Sequence, residues 1–360
     1  MSGQGVRVQD LVRPEILAGS PYQVADARGL LKLDAMEAPA GLPAGLEADW
    51  QARVAGLDWH RYPDSQASAL KAALREQFAI DDRLGLLLGN GSDEIIQMLT
   101  LALARHGASL MTPEPGFAIY KVAARNAGMD YHALPLDEQD FSLDLDRALA
   151  EMERLRPALI FIANPNNPTG NAFSPDQLQA IADAAPGLVV VDEAYFPHTD
   201  IHCLDRAGRP ANLAVMRTLS KAGMAGLRLG WLVADPAWID ALERLRMPYN
   251  INVLTQAAAR FALENGDWWR SQAELVREER ARLYQRLQGL DGVHVWPSEA
   301  NFLLLRVADA PTVHARMKAA GVLVKCLDGA HPALSGCLRL TVGSPADNEI
   351  LFEALAAAIR

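Results

Sequence analysis

A lysine ends the run TLSK at residues 218–221, which follows a buried strand candidate. An amine at the mouth of an apolar core is costly to bury as a cation, so a neutral amine or a Schiff base is its expected form. Thr218, Ser220 and Arg228 are close to Lys221 in the chain. Two hydroxyls and a guanidinium suit a phosphate group. The alternative is a lysine whose stem packs in a Gly-rich turn while its ammonium reaches water.

Two more polar side chains follow strand candidates. Asn167 lies in the turn NPNNPTG (164–170), and Asp192 directly follows the run LVVV, which should be buried on both faces of a parallel sheet. Ligands of open α/β sheets bind at the carboxyl ends of such strands, and a protonated ring nitrogen would be a good partner for a buried aspartate. The simpler interpretations are that Asn167 only forms a turn and that Asp192 is an ordinary cap. Because Asn167, Asp192 and Lys221 are spaced like successive βα units, all three can reach one cleft.

Short apolar runs alternate with longer amphipathic ones, which is typical of βα units in a doubly wound, mostly parallel sheet. A helix is predicted over 65–78, with Leu70, Leu74 and Phe78 on one face. Strands are predicted at 84–88, 108–111, 158–163, 188–191, 213–219 and 229–234. The helices expected between them are at 93–104, 117–127, 145–154 and 175–185.

The pattern changes near the charged helix candidate at 268–288, which we interpret as a bridge to a smaller α/β domain. Strands near 293–296, 302–307, 322–325 and 337–342 and helices at 311–320 and 345–359 would form that domain. We therefore expect an N-terminal arm that includes part of the small domain at 1–50, a large domain at 51–265 and a small C-terminal domain at 266–360.

Composition narrows the class of protein. The chain has 360 residues, 50% of them hydrophobic, with 34 Lys+Arg, 44 Asp+Glu and a net charge of −10. This favours a large globular protein and disfavours nucleic-acid or membrane-surface partners. We expect a cytoplasmic protein, because there is no signal-like start and no long apolar run. The sparse cysteines Cys203, Cys326 and Cys337 also fit a reducing compartment.

Three motifs together carry a family resemblance: NPNNPTG, VVVDEAY at 189–195, and TLSK followed by GLRLG at 226–230. The chain resembles the fold type I pyridoxal-phosphate (PLP) aminotransferases, and it is similar to their histidinol-phosphate aminotransferase branch. The resemblance runs from SPYQ at 20–23 to GCLRLTVG at 336–343. It implies a large doubly wound domain, a small α/β domain and an N-terminal arm.

The resemblance also implies which residues bind PLP. Lys221 would hold the cofactor covalently and move the substrate proton, Asp192 would pair with the pyridinium nitrogen, and Tyr195 and Asn167 would contact the phenolic oxygen. The ring would stack on a side chain in PGFAIY (115–120), and the phosphate would lie at a strand-to-helix turn. The remaining cofactor residues are Phe117 for the ring, and Gly91, Ser92, Asp93, Thr218, Ser220 and Arg228 for the phosphate.

For the substrates, the resemblance implies that Arg339 binds the anionic tail of histidinol phosphate and of glutamate or 2-oxoglutarate. Lys325 would be a second cation, and Asn167 would also border the substrate. Tyr22 of the arm and Tyr62 from the other subunit of a homodimer would close around them. Two features depart from the family pattern: the turn from Lys221 to Arg228 is one residue shorter than is commonest, and EAP at 37–39 stands where relatives often show NENP.

The resemblance thus implies transamination of L-histidinol phosphate with 2-oxoglutarate, giving imidazole acetol phosphate and L-glutamate in histidine biosynthesis. An aromatic amino acid aminotransferase or a threonine-phosphate decarboxylase of the same fold is an alternative. A non-catalytic PLP-binding regulator is a third, although the chain has no room for a fused DNA-binding domain. His198 and His202 are too few ligands for a zinc site, so we expect no metal.

Overall fold

The computed structural model of the protein describes residues 6–21 and 24–360. Its first elements are helices α1 (Val8–Leu11) and α2 (Pro14–Leu17), strand β1 (Leu31–Lys32) and helix α3 (Ala44–Ala55). Helix α3 was not predicted from the sequence. None of its residues is buried, so it lacks the apolar stripe by which a core-facing helix is recognised in a sequence.

A seven-stranded sheet forms the larger lobe. Its strands are β2 (Gly85–Asn90), β3 (Ser109–Glu114), β4 (Asp130–Pro135), β5 (Leu159–Ala163), β6 (Leu188–Asp192), β7 (Leu213–Thr218) and β8 (Leu229–Ala234). They are arranged in the order β2-β8-β7-β6-β5-β3-β4, and β8 runs antiparallel to both of its neighbours. The predicted mostly parallel sheet is therefore confirmed. The prediction lacked only the edge strand β4, where most residues are exposed or half-buried.

Helices cover both faces of this sheet, as a doubly wound fold requires. They are α4 (Ser68–Phe78), α5 (Gly91–Leu103), α6 (Ala118–Ala127), α7 (Leu145–Leu155), α8 (Pro175–Ala184), α9 (Pro236–Glu243) and α10 (Val253–Glu264). In β6, Val189 and Val191 face one apolar core while Leu188 and Val190 face the other. Because both faces are covered, the central strands are apolar without alternation, which is why they stand out in the sequence.

The smaller lobe follows the long helix α11 (Asp267–Gln288). Its further elements are β9 (His294–Val295), β10 (Phe302–Arg306), α12 (Ala310–Ala319), β11 (Val322–Leu323), β12 (Lys325–Cys326), β13 (Cys337–Thr341) and α13 (Pro345–Ala358). An antiparallel sheet runs in the order β12-β13-β10-β9, and β1 pairs in parallel with β11. The domain boundaries at residues 50 and 265 stay predictions.

The strand register decides where the polar side chains lie. Ala163 at the end of β5 pairs with Asp192 at the end of β6, and Asp192 pairs with Met216 near the end of β7. The three strands therefore end at one edge of the sheet, and the loops that follow them meet there. Over the described residues, no helix combines the length and apolar character needed to cross a membrane.

Candidate active site

The amine of Lys221 lies just past β7, in a 3-10 helix over Leu219–Lys221. Its Nζ donates a hydrogen bond to the backbone oxygen of Ala35, 2.9 Å away. Burial, and next the positive charge of Arg339, lowers the pKa of Lys221 to about 8. A lysine with this pKa is partly neutral near neutral pH, and the neutral amine is the form that attacks a carbonyl carbon or takes up a proton.

Asp192 is the last residue of β6, and it is only 4% exposed. The hydroxyl of Tyr120 donates to its Oδ2 at 2.7 Å, and the backbone N–H of Ala194 donates to its Oδ1 at 3.0 Å. Burial raises the pKa of Asp192 to about 6, although the two hydrogen bonds oppose the rise. A cationic group placed beside this carboxylate would favour its ionised form. The site can thus hold a protonated ring nitrogen.

Asn167, which follows β5 of the larger lobe, contacts Arg339 in strand β13 of the smaller lobe. Its side-chain oxygen accepts a hydrogen bond from Nη1 of Arg339 at 2.6 Å. Nη2 of the same guanidinium donates to the backbone oxygen of Asp34 at 2.8 Å. Since the carboxamide oxygen faces Arg339, its NH2 group is the donor that Asn167 offers to a ligand.

Aromatic side chains and one methionine complete the inner wall. The Tyr195 hydroxyl donates to Sδ of Met36 at 3.0 Å. Phe117 lies edge-on to Tyr120, with ring centroids 5.4 Å apart. Met36 has a positive φ of 56°, which is rare for a residue with a side chain. The backbone is therefore held in an uncommon conformation where the N-terminal segment meets the site.

An anion site lies where β2 turns into α5. Gly91 begins this 13-residue helix with φ of 75°, and a Cβ there would lie 2.6 Å from Nη2 of Arg228. The same nitrogen is 2.9 Å from Oδ2 of Asp93. Nη1 of Arg228 is 3.5 Å from the hydroxyl of Ser220, which Thr218 contacts at 3.0 Å. A helix N-terminus, an arginine and two hydroxyls form a cup suited to a phosphate.

These groups surround two neighbouring cavities. The first, of about 130 Å3, is lined by Met36, Ser92, Asp93, Phe117, Tyr120, Ala163, Asn167, Asp192, Ala194, Tyr195, Thr218, Ser220, Lys221 and Arg228. The second, of about 320 Å3, has Met36, Phe117 and Asn167 in common with the first and also contains Lys325 and Arg339. A larger cavity of about 710 Å3 lies elsewhere, and none of the predicted site residues lines it.

The structure thus brings together nearly all of the residues expected to form the site. Gly91 lines neither of the two cavities, but it lets Arg228 approach. Tyr62 lines neither cavity: it is 80% exposed and stacks on Tyr249 with ring centroids 4.5 Å apart. Tyr22 lies outside the described residues.

Several groups at the site were not predicted. Tyr120 lies three residues after Phe117, about one turn along α6, so its place in the string PGFAIY was the signal in the sequence. The backbone oxygen of Ala35 and the thioether of Met36 carried no signal, since neither is a residue type that marks chemistry. Their positions depend on how the N-terminal segment folds back over the cleft.

His198, one of the two histidines considered as metal ligands, contacts the backbone of Lys221. His198 lies in a 3-10 helix over Phe196–His198, and its Nε2 is 2.9 Å from the backbone oxygen of Lys221. Burial lowers the pKa of His198 to about 4, so the ring is neutral. Within residues 6–21 and 24–360, no group of three or more His, Cys, Asp or Glu side chains is placed to hold a metal ion.

Comparison with known proteins agrees with this geometry. Residues 32–355 match the family model "Aminotransferase class I and II", and the chain belongs to that family. A histidinol-phosphate aminotransferase of Chromobacterium violaceum is 52% identical over 348 residues, which is 97% of this chain and 98% of the relative. Histidinol-phosphate aminotransferase 2 of Nitrosococcus oceani is 48% identical over 353 residues, 98% of each chain. The predicted resemblance to this branch is confirmed.

The fold has a close match among solved structures. The crystal structure of histidinol-phosphate aminotransferase from Sinorhizobium meliloti in complex with pyridoxal-5'-phosphate aligns with a TM-score of 0.87. The alignment covers 97% of this chain and 98% of the other, at 22% identity. At that identity the likeness shows the fold, and the predicted fold type I architecture is confirmed.

Proposed function

We propose that this chain transfers the amino group of L-histidinol phosphate to 2-oxoglutarate with PLP as cofactor, giving imidazole acetol phosphate and L-glutamate in histidine biosynthesis. The observation that carries the proposal is the convergence of Lys221, Asp192 and Asn167 on one cavity beside a second that presents Arg339 and Lys325. Relatives that are 52% and 48% identical over nearly the whole chain carry this enzyme's name.

The residues of the first cavity fit PLP in chemistry and position. Lys221 supplies the amine for the covalent link, and Asp192 supplies the buried carboxylate for the pyridinium nitrogen. Phe117 supplies an apolar face for the ring, and Asn167 and Tyr195 supply polar groups for the phenolic oxygen. The phosphate would lie in the cup formed with Gly91, Ser92, Asp93, Thr218, Ser220 and Arg228. The bound cofactor supplies an electron sink for the substrate carbon that loses its proton.

Lys221 is the group that moves the proton. Its lowered pKa, about 8, makes the neutral amine accessible at physiological pH, so the side chain can take a proton from the substrate carbon and return it. Asp192, which lines the same cavity, would keep a proton on the ring nitrogen of the bound cofactor. Tyr120 holds that carboxylate in place by a 2.7 Å hydrogen bond.

Arg339 and Lys325 would bind the substrate anion. They are cross-strand neighbours, because Lys325 in β12 pairs with Arg339 in β13. Arg339 is fixed by Asn167 and Asp34, so its guanidinium is held ready for a planar anion. One such pair can serve a phosphate in one half-reaction and a carboxylate in the other.

We also propose a cytoplasmic homodimer in which Tyr62 reaches the site of the other subunit. Tyr62 and Tyr249 stack on each other yet remain exposed, and the neighbouring Trp59 and Met247 are 65% and 71% exposed. Exposed apolar side chains near one another favour a protein interface. The three free cysteines are compatible with a reducing compartment.

The test is steady-state kinetics of the purified protein with PLP. With histidinol phosphate and 2-oxoglutarate we expect turnover with a ping-pong pattern, and Lys221→Ala should lower the rate by roughly 10⁴-fold and abolish the absorbance of the linked cofactor. Lys318→Ala, an exposed lysine in α12, is the matched control. Comparable turnover by Lys221→Ala would contradict the proposal. Preferred use of phenylalanine, or carbon dioxide release from threonine phosphate, would instead support one of the alternatives.

A further inference from the structure

One carboxylate borders the cavity that Lys325 and Arg339 line. Glu114 is the last residue of β3, and it lines the 320 Å3 cavity together with Lys325, Arg339 and His331. Its side chain is 18% exposed. A carboxylate weakens the binding of an anion nearby, so its presence needs a reason if the cavity serves only an anionic tail.

The carboxylate is held as a hydrogen-bond acceptor. Oε1 of Glu114 accepts from the hydroxyl of Tyr131, 2.5 Å away on the neighbouring strand β4. Burial, and next the hydrogen bond to Glu114, raises the pKa of Tyr131 well above its usual value, so the phenol keeps its proton and donates. The geometry therefore fixes one oxygen of Glu114 by a donor of the large lobe.

The second oxygen lies toward the small lobe. Oε2 of Glu114 is 3.8 Å from Nε2 of His331, which belongs to the small lobe. That distance is too long for a hydrogen bond. Nδ1 of His331 accepts from the backbone N–H of Ala333 at 3.1 Å, so in the neutral ring the proton is on Nε2. Oε2 thus remains able to accept from a ligand that enters between the two side chains.

The charges of this cavity match a ligand with two different ends. Arg339 and Lys325 lie on the small-lobe wall, whereas Glu114 lies on the large-lobe wall. The large-lobe wall also carries Lys121, whose Nζ lies 5.3 Å from the centre of the Tyr131 ring. An anionic group would be attracted to the first wall, and an N–H donor to Glu114.

We propose that Glu114 is a specificity-determining residue that accepts a hydrogen bond from the imidazole N–H of the substrate, and that it thereby disfavours a phenyl ring at the same place. This inference rests on the proposed function, because it assigns the second end of histidinol phosphate. Both the neutral imidazole and the imidazolium ion can donate to a carboxylate. A phenyl ring cannot, and it would leave a partly desolvated carboxylate without a partner.

The experiment compares Glu114→Gln and Glu114→Met with the wild-type holoenzyme. We expect each variant to lower kcat/KM for histidinol phosphate by about 10- to 100-fold, mainly through KM, since a hydrogen bond to a charged group is lost. The value for phenylalanine should rise in both variants and more in Glu114→Met, because the unpaired carboxylate is replaced by a neutral amide in one and by an apolar side chain in the other. The half-reaction with glutamate should not slow in Glu114→Gln, because glutamate has no ring and the carboxylate that repels its anionic end has been removed. Glu138→Gln, an exposed glutamate outside the cavity, is the matched control.

The outcomes separate this assignment from the proposed function. If wild type uses histidinol phosphate and Glu114→Gln leaves the histidinol phosphate to phenylalanine ratio unchanged, the assignment is wrong and the proposed function stands. An equal loss for all three substrates would also overturn it, because that would show a structural role. If wild type does not turn over histidinol phosphate at all, the proposed function fails and this assignment fails with it.

Discussion

At the scale of single residues, burial drives the two central ionisable groups toward their neutral forms. Loss of water lowers the pKa of Lys221 to about 8 and raises that of Asp192 to about 6. Both residues could be predicted from sequence, because the ends of parallel strands are ligand sites. Their partners Tyr120 and Ala35 were not predicted, since contacts between residues 72 and 186 positions apart leave no local pattern in the sequence.

The raised pKa of Asp192 predicts a pH-dependent stability of the cofactor-free protein. The ordinary value is 3.8 and the folded value is about 6, so the folded state binds this proton more tightly than the unfolded state. The contribution to the free energy of unfolding is full below about pH 4, is lost as the pH rises to about 6, and amounts to about 3 kcal/mol. Asp192→Asn has no such titration.

The measurement is urea unfolding of wild type and Asp192→Asn without cofactor, between about pH 4 and pH 8. The free energy of unfolding of wild type minus that of the variant should fall by about 2.5 kcal/mol across this range. Changed hydrogen bonding from Tyr120 and Ala194 shifts the difference by a constant and leaves its slope alone. A difference that does not vary with pH would show that the carboxylate is not perturbed by burial.

At the scale of elements, the strands that are buried on both faces could be predicted from the sequence. The exposed edge strand and the exposed helix could not. The strands β5, β6 and β7 lie within two residues of their predicted bounds, since continuous apolar runs mark them. The edge strand β4 and the exposed helix α3 lack that signal. The 3-10 helices beside the site are also too short for a periodic pattern of apolar residues to be recognised in the sequence.

A hydrogen bond from His198 joins the 3-10 helix over Phe196–His198 to the one over Leu219–Lys221. This contact predicts that His198 positions the catalytic lysine. Its Nε2 donates to the backbone oxygen of Lys221 at 2.9 Å, and Arg280 in turn donates to the backbone oxygen of His198 at 3.0 Å. The helix over Phe196–His198 therefore fixes the peptide of Lys221. With its pKa lowered to about 4, the ring stays a neutral donor throughout the working range of pH.

We expect His198→Asn to lower kcat about tenfold with little change in KM, since one hydrogen bond to the catalytic segment is lost. In His198→Gln the amide nitrogen takes the place of Nε2, so this variant should keep most of the wild-type kcat. Steady-state kinetics of both variants with PLP bound, together with thermal unfolding, checks the prediction. Equal kcat for the two variants would mean that His198 serves packing alone.

At the scale of the whole molecule, the N-terminal segment fixes how the two lobes meet. The backbone N–H of Met36 donates to the hydroxyl of Thr341 at 3.0 Å, and Asn301 donates to the backbone oxygen of Met36 at 2.9 Å. Lys221 of the large lobe reaches the same segment at Ala35. These contacts join residues up to 305 positions apart, so sequence patterns predicted an arm but not which of its atoms enter the site.

The position of Tyr62 leads to a prediction about the assembly. Tyr62 lines neither cavity of its own chain, so in a homodimer it would serve the site of the other subunit. Tyr62→Ala and Lys221→Ala should each be strongly impaired when alone. In a mixed dimer, the Lys221→Ala chain provides an intact Tyr62 to the intact Lys221 of the other chain, which completes one site of the two.

Mixing the two inactive variants under conditions that exchange subunits should therefore restore activity, up to about a quarter of wild type when half of the dimers are mixed and one of their two sites works. Differently tagged chains allow the mixed dimer to be isolated, and its rate with histidinol phosphate should then approach half that of wild type. Tyr62→Phe keeps the ring and tests whether the hydroxyl is needed. If the isolated mixed dimer is as inactive as its parents, Tyr62 acts within its own chain, because then each chain would carry one defect in its own site.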